Sequence, residues 1–294
     1  MNIDGVFSGG GVKGFALIGA YEEIENRGFH FKRVAGTSAG SLIAALIAAG
    51  YTSSEMKELL DELDLTKFLD ARRNWIPFPF AKWLFVYWRL GLYKGQELEK
   101  WMEEKLSAKG LKTFGDLPPQ TLRVIASDLT NGRLLVLPDD LEKYGIDPNS
   151  FSIAKAIRMS CSLPYFFEPV KLRSAIGVNI VVDGGVLSNF PMWLFDKENV
   201  AKVRPVLGIK LSHNKYELPQ NKIHNAIDMF GALFETMKDA HDARYISRKH
   251  AKNIIFIPTQ GVLLTEFELT NEKKQAMIAL GKEAAKQFFK SWGY

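Results

Sequence analysis

One cysteine, Cys161, in 294 residues leaves no internal disulfide to form. Long apolar runs are also missing. The best uncharged block, SLIAALIAAG at residues 41–50, is about half of the roughly 18 to 20 residues needed to span a bilayer. The opening MNIDGVFSGGG carries an acid at Asp4 and too few apolar residues for a signal peptide, so a cytoplasmic location is expected. EF-hand loops, HExxH and Cys/His clusters are absent, so neither a metal nor a cofactor is expected. There is no internal repeat, Ser/Gly-rich linker or break in composition, which makes residues 1–294 a single domain. Charge of one sign is scarce as well: 38 Lys+Arg against 33 Asp+Glu leaves 38 − 33 = +5, too little over this length to point to nucleic acid.

What is present is ample core-forming material, with 47% of residues hydrophobic and 24% charged. IDGVFS, residues 3–8, reads as a strand entering GGGVKG, and FALIGAYEEIENRG follows with helical periodicity to Gly28. A second extended run, HFKRVAG, breaks into TSAG and then into an almost wholly apolar helix ending at Gly50. Further strands are expected at LRVIASDL, GRLLVL, VNIVVDG, VLGIKL and NIIFIP, the first two as a hairpin across Thr130, Asn131 and Gly132. Helices are expected at 53–63, 95–108, 151–159, 222–249 and 271–290, the last with Met277, Leu280, Ala284 and Phe288 as its apolar stripe. Strands alternating with helices across tight glycine turns predict an α/β protein with a mostly parallel sheet covered on both faces, a three-layer αβα arrangement.

GTSAG, Gly36 to Gly40, fits G-x-S-x-G between a strand and a helix, the setting of a nucleophile elbow. Such a turn holds the Ser38 hydroxyl clear of the sheet, and side chains at Gly36 and Gly40 would collide with neighbouring elements. Ser38 could alternatively just cap the helix that follows. SGGGVKG, residues 8–14, follows the first strand, and its glycines can point consecutive N–H groups at an anion. Gly9, Gly11 and Gly14 also satisfy the dinucleotide pattern G-x-G-x-x-G. Against that reading, the second strand offers Lys32 and Arg33 where a ribose-binding acid belongs. Loops after parallel strands emerge at one edge, so the glycine loop lies beside Ser38 and can supply an oxyanion hole. For the base that a serine needs, Asp183 in VNIVVDGGVLSNFP and His213 at the end of VLGIKLSH stand level by position alone.

SGGGVKG, then GTSAG, then DGG followed by NFP, in this order and spacing, resemble the patatin-like phospholipase family of bacterial type. The likeness is closest over the first fifty residues and continues more weakly through SCSLPYFFEPV to DGGVLSNFP. The resemblance implies a patatin-like αβα acyl hydrolase with a Ser-Asp dyad and neither histidine nor metal in catalysis. It makes Ser38 the nucleophile and Asp183 the base. Gly9, Gly10 and Gly11 become the oxyanion loop, joined by the N–H of Ala39, with Lys13, Gly14, Gly184 and Gly185 in support. Ser8 stands where plant members carry Asp. The implied substrate is a lipid ester, phospholipid or related. The competing readings are a small-ester or thioester hydrolase with a Ser-Asp-His triad, and a catalytically silent lipid- or dinucleotide-binding module.

Residues 71–95 form an aromatic, basic insertion with five cations and no acid. Its tryptophans Trp75, Trp83 and Trp88 suit a lid or a peripheral membrane patch. Core packing with snorkelling Lys and Arg is an equal reading. Met159 and Cys161 read as packing rather than chemistry.

Overall fold

The computed structural model describes residues 1–61, 63–70, 86–174, 177–195, 204–212, 223, 226–246, 251–259 and 266–293. The chain begins β1 (Asn2–Phe7), α1 (Phe15–Asn26), β2 (His30–Thr37), α2 (Ala39–Ala48), α3 (Ser53–Asp61). It continues β3 (Gly91–Tyr93), α4 (Gln96–Ala108), β4 (Leu122–Asp128), β5 (Arg133–Leu137), α5 (Ile153–Ser160), β6 (Tyr165–Phe167), β7 (Val170–Ser174) and β8 (Gly177–Asp183). The last elements are β9 (Val206–Ser212), α6 (Ala226–Tyr245), β10 (Ile254–Pro258) and α7 (Asn271–Phe289). The main sheet runs β10-β9-β1-β2-β4-β8-β7, with β5 also paired to β4. Pairing is parallel from β10 through β4 and antiparallel for β5, β7 and β8. The α/β, mostly parallel reading therefore holds, and helices flank the sheet. No described helix is long and apolar enough to cross a membrane.

The β4–β5 hairpin forms where expected, its turn held by Asn131 donating to the buried Asp128. β7 and a small parallel sheet of β3 and β6 were not expected; β3 and β6, at three residues each, carry too little periodicity to be read. The face of α7 is displaced slightly from expectation: Met277 is buried and Ala284 and Phe288 pack half-buried against the core, but Leu280 is exposed and the fully buried line continues through Ile278, Gly281, Ala285 and Phe289. The cause is a close crossing with α1: a Cβ on Gly281 would lie 1.8 Å from the Ala16 carbonyl oxygen, and one on Gly19 1.8 Å from that of Ile278. Backbone contact at these two glycines, not the side-chain stripe alone, fixes the helix rotation.

One feature of register decides where the chemistry can sit. β2 pairs with β4 over Leu122 to Ile125, ending at Thr37 opposite Ile125. β8 takes over at once, with Asp183 opposite Ala126. β5 pairs with β4 across both stretches, so it occupies the other flank, and β2 and β8 share one flank end to end. The carboxyl ends of these two oppositely directed strands meet at adjacent β4 residues.

Candidate active site

At that junction β2 turns sharply into α2. Ser38 takes φ 52°, ψ −129°, a left-handed conformation that a non-glycine residue holds only under constraint. A Cβ on Gly36 would lie 2.3 Å from the Gly40 carbonyl oxygen, and one on Gly40 2.3 Å from that of Phe7. The two flanking glycines are thus required by backbone approach. Ser38 makes no side-chain cap to α2, so the simple capping role is not the one it plays. Its carbonyl is instead tied by the N–H (2.8 Å) and hydroxyl (2.6 Å) of Ser41.

Asp183 ends β8 and is 2% exposed. Burial pushes its carboxyl up from 3.8 to about 6, against hydrogen bonds from the Gly185 N–H and the Ser38 side chain and the nearby Lys238 cation. The Gly185 bond is 2.7 Å. A Cβ on Gly184 would fall 2.3 Å from the Ile125 carbonyl oxygen, so this glycine lets β8 close against β4 beside Thr37.

The glycine loop lies alongside, because β1 is the other neighbour of β2. Gly10 and Gly11 line a cavity with Ser38, Ala39 and Asp183. Gly9 departs from its expected place among the oxyanion donors: its N–H donates to the Asn189 carbonyl (3.2 Å), and its own Cβ position lies 2.4 Å from Asn189 Oδ1. It serves close packing. Ser8 accepts from the Leu211 N–H (2.9 Å) and fastens β1 to β9. Lys13, buried, donates to Glu235 on α6 at 3.0 Å, and Gly14 admits the Ala39 methyl.

Away from Ser38 the cavity is apolar, walled by Val12, Phe15, Leu42, Leu98, Phe166, Phe167 and Phe267, and measures about 980 Å³ including its open mouth. Cys161 also lines it. Burial and the Asp183 charge push its thiol up to about 12, which suits the packing role expected of it.

Several contributors were not expected. Phe234 and Lys238, one turn apart on α6, line the cavity. The same helix is anchored by Lys13 to Glu235 and by the buried Lys210 to Asp242, which also accepts from Asn189 Nδ2 at 3.1 Å. The spacing of Phe234, Lys238 and Asp242 was the available signal, masked by the surrounding polar sequence. Trp88 is described and 71% exposed, next to the equally exposed Tyr87. Trp75, Trp83 and His213 lie outside the described residues.

The chain is 58% identical over the full length of both chains to the uncharacterized protein YqhO of Bacillus subtilis (strain 168). It is 28% identical to the cUMP-AMP-activated phospholipase of Escherichia coli, across 62% of this chain and 54% of that protein. Its fold is similar to that of the crystal structure of VipD from Legionella pneumophila, with a TM-score of 0.58 at 19% identity, covering 99% of this chain and 67% of the other. The family model for patatin-like phospholipases matches residues 5–196. This chain is a member of the patatin-like phospholipase family.

Proposed function

We propose that the protein is a serine acyl hydrolase that cleaves ester bonds of phospholipids or related lipids through a Ser38–Asp183 dyad. The observation that carries the reading is the end-to-end meeting of β2 and β8, which sets Ser38 beside a buried carboxylate at the head of an apolar cavity. Asp183, with its carboxyl at about 6, is largely ionised at pH 7 and is a stronger base than an exposed aspartate. It accepts the Ser38 proton as Oγ attacks the ester carbonyl carbon. Charge developing on the carbonyl oxygen is met by N–H groups of Gly10, Gly11 and Ala39, the last at the N-terminus of α2. Collapse expels the alcohol, which takes the proton from Asp183, and leaves an acyl-serine. Asp183 then removes a proton from water as that water attacks the acyl carbon, and returns the proton to Ser38 Oγ as the acyl–oxygen bond breaks, which frees the fatty acid and regenerates both side chains.

The apolar walls receive the acyl chain, and similarity to the cUMP-AMP-activated phospholipase of Escherichia coli supports a lipid substrate. The exposed pair Tyr87 and Trp88 supports delivery from a membrane surface. The experiment is fatty-acid release from a panel of phospholipids, glycerides and acyl-CoA, run beside fluorophosphonate labelling. Wild-type protein should be labelled at Ser38, and Ser38→Ala and Asp183→Asn should each lose hydrolysis while His213→Ala keeps it. Labelling at another residue, or a fully active Asp183→Asn variant, would overturn the dyad. An inactive but folded His213→Ala variant would restore the triad.

A further inference from the structure

The strand junction that brings Ser38 to Asp183 leaves a gap in the hydrogen-bond ladder, since β2 departs from β4 at Ile125 and β8 arrives at Ala126. The C-terminal end of α5 fills it. Ser160 Oγ accepts from the Ser38 N–H at 2.8 Å and donates to the Ile125 carbonyl at 2.6 Å. Two residues on, the Ser162 carbonyl accepts the Asp183 N–H at 2.9 Å. Both serines are fully buried. Ser162 is itself locked to α5, its hydroxyl donating to the Arg158 carbonyl (2.7 Å) and accepting from the Arg158 guanidinium.

We propose that Ser160 is a positioning residue for the Ser38–Asp183 pair, its hydroxyl replacing the missing rung between the main chains of β2 and β4. The inference rests on Ser38 being the nucleophile. A single atom in this place must accept from one strand and donate to the other, which a hydroxyl does and a methyl or thioether does not. A helix-capping serine would bond within its own helix; the described bonds of Ser160 both leave α5 for the sheet. They hold the N–H of the one residue that sits at φ 52°. Removing the hydroxyl strands a buried donor and a buried acceptor together. Relaxation of the Ser38 backbone follows, and with it the aim of Oγ. The residue acts through Ser38 and touches no substrate.

The test compares Ser160→Ala and Ser160→Thr with wild type in three measurements: kcat and KM on p-nitrophenyl butyrate, the rate of fluorophosphonate labelling, and hydrogen exchange of the Ser38 amide. All are read below the unfolding transition. Ser160→Ala should lower kcat and labelling by about 30-fold, with KM within about twofold, because binding survives and aim does not. The Ser38 amide should exchange at least about tenfold faster. Ser160→Thr, which keeps the hydroxyl, should restore kcat to within about threefold. A folded Ser160→Ala variant with wild-type kcat overturns the proposal, as does a loss of kcat that Ser160→Thr fails to recover while folded. If Ser160→Ala does not fold, Ser160→Cys, close in size and weak in hydrogen bonding, carries the same expectations and the same refutation. If wild-type protein neither hydrolyses esters nor labels at Ser38, the hydrolase reading is what fails. The positioning claim is then decided by amide exchange alone, and unchanged exchange in Ser160→Ala overturns it.

Discussion

Asp183→Asn should abolish hydrolysis and at the same time stabilise the protein, because the proposed base is a buried carboxylate whose ionisation opposes folding. Its carboxyl moves from 3.8 to about 6 on folding, with burial as the main cause. That displacement corresponds to roughly 3 kcal/mol of stability. A group whose folded value is raised contributes its stability below the unfolded value and loses it as pH rises through the folded one. Wild-type protein therefore carries no penalty below about pH 3.8 and the full penalty above about pH 6. Asparagine keeps the shape and can still accept from the Gly185 N–H, but it has no charge to bury. Chemical denaturation of both proteins at several pH values reads this directly. The variant should be more stable by less than about 1 kcal/mol at pH 4, by roughly 1 to 2 kcal/mol at pH 5 and by roughly 3 kcal/mol at pH 8. A stability difference that does not change with pH, or one that favours wild type increasingly as pH rises, would refute the reasoning.

The same carboxyl gives the pH–rate profile an acid limb with an apparent pKa near 6, measured as kcat/KM on a soluble ester. Gly40→Ala places a methyl 2.3 Å from the Phe7 carbonyl oxygen and should cost about 3 kcal/mol or more in denaturant unfolding, with hydrolysis lost as the turn is displaced. Lys13→Met leaves Glu235 largely buried without its cation and should cost about 3 kcal/mol. Adding Glu235→Leu should recover part of that loss in a double-mutant cycle. Lengthening the acyl chain of p-nitrophenyl esters should raise kcat/KM about fourfold per CH₂, from about 0.8 kcal/mol each, until the cavity is full. Leu98→Trp should bring that plateau to shorter chains.

Much of the site was legible because its chemistry is local. Glycines that permit a backbone approach of 2.3 Å leave the same mark in any sequence that makes such a turn, so Gly36, Ser38 and Gly40 could be read without coordinates. The glycine loop of residues 9–11 could be read as a loop, but Gly9 looks identical to Gly10 in sequence and is distinguished only by its hydrogen bond to the carbonyl of Asn189. Asp183 and His213 stood level on position, and family likeness rather than residue spacing favoured the acid. Periodicity found the core side of α7 at Met277, Ala284 and Phe288 but misplaced Leu280, since two glycine backbones in contact with α1 shift the helix rotation.

The sequence by itself determined the alternation of strand and helix, the elbow and the glycine loop, because each depends on neighbours within a few residues. Only the tertiary structure decided that β2 and β8 share one flank of β4, that Ser160 bridges the gap between them, and that α6 places Phe234 and Lys238 in the cavity. Those outcomes depend on strand register and on hydrogen bonds between residues more than a hundred positions apart, such as Ser38 and Ser160. No local pattern encodes them.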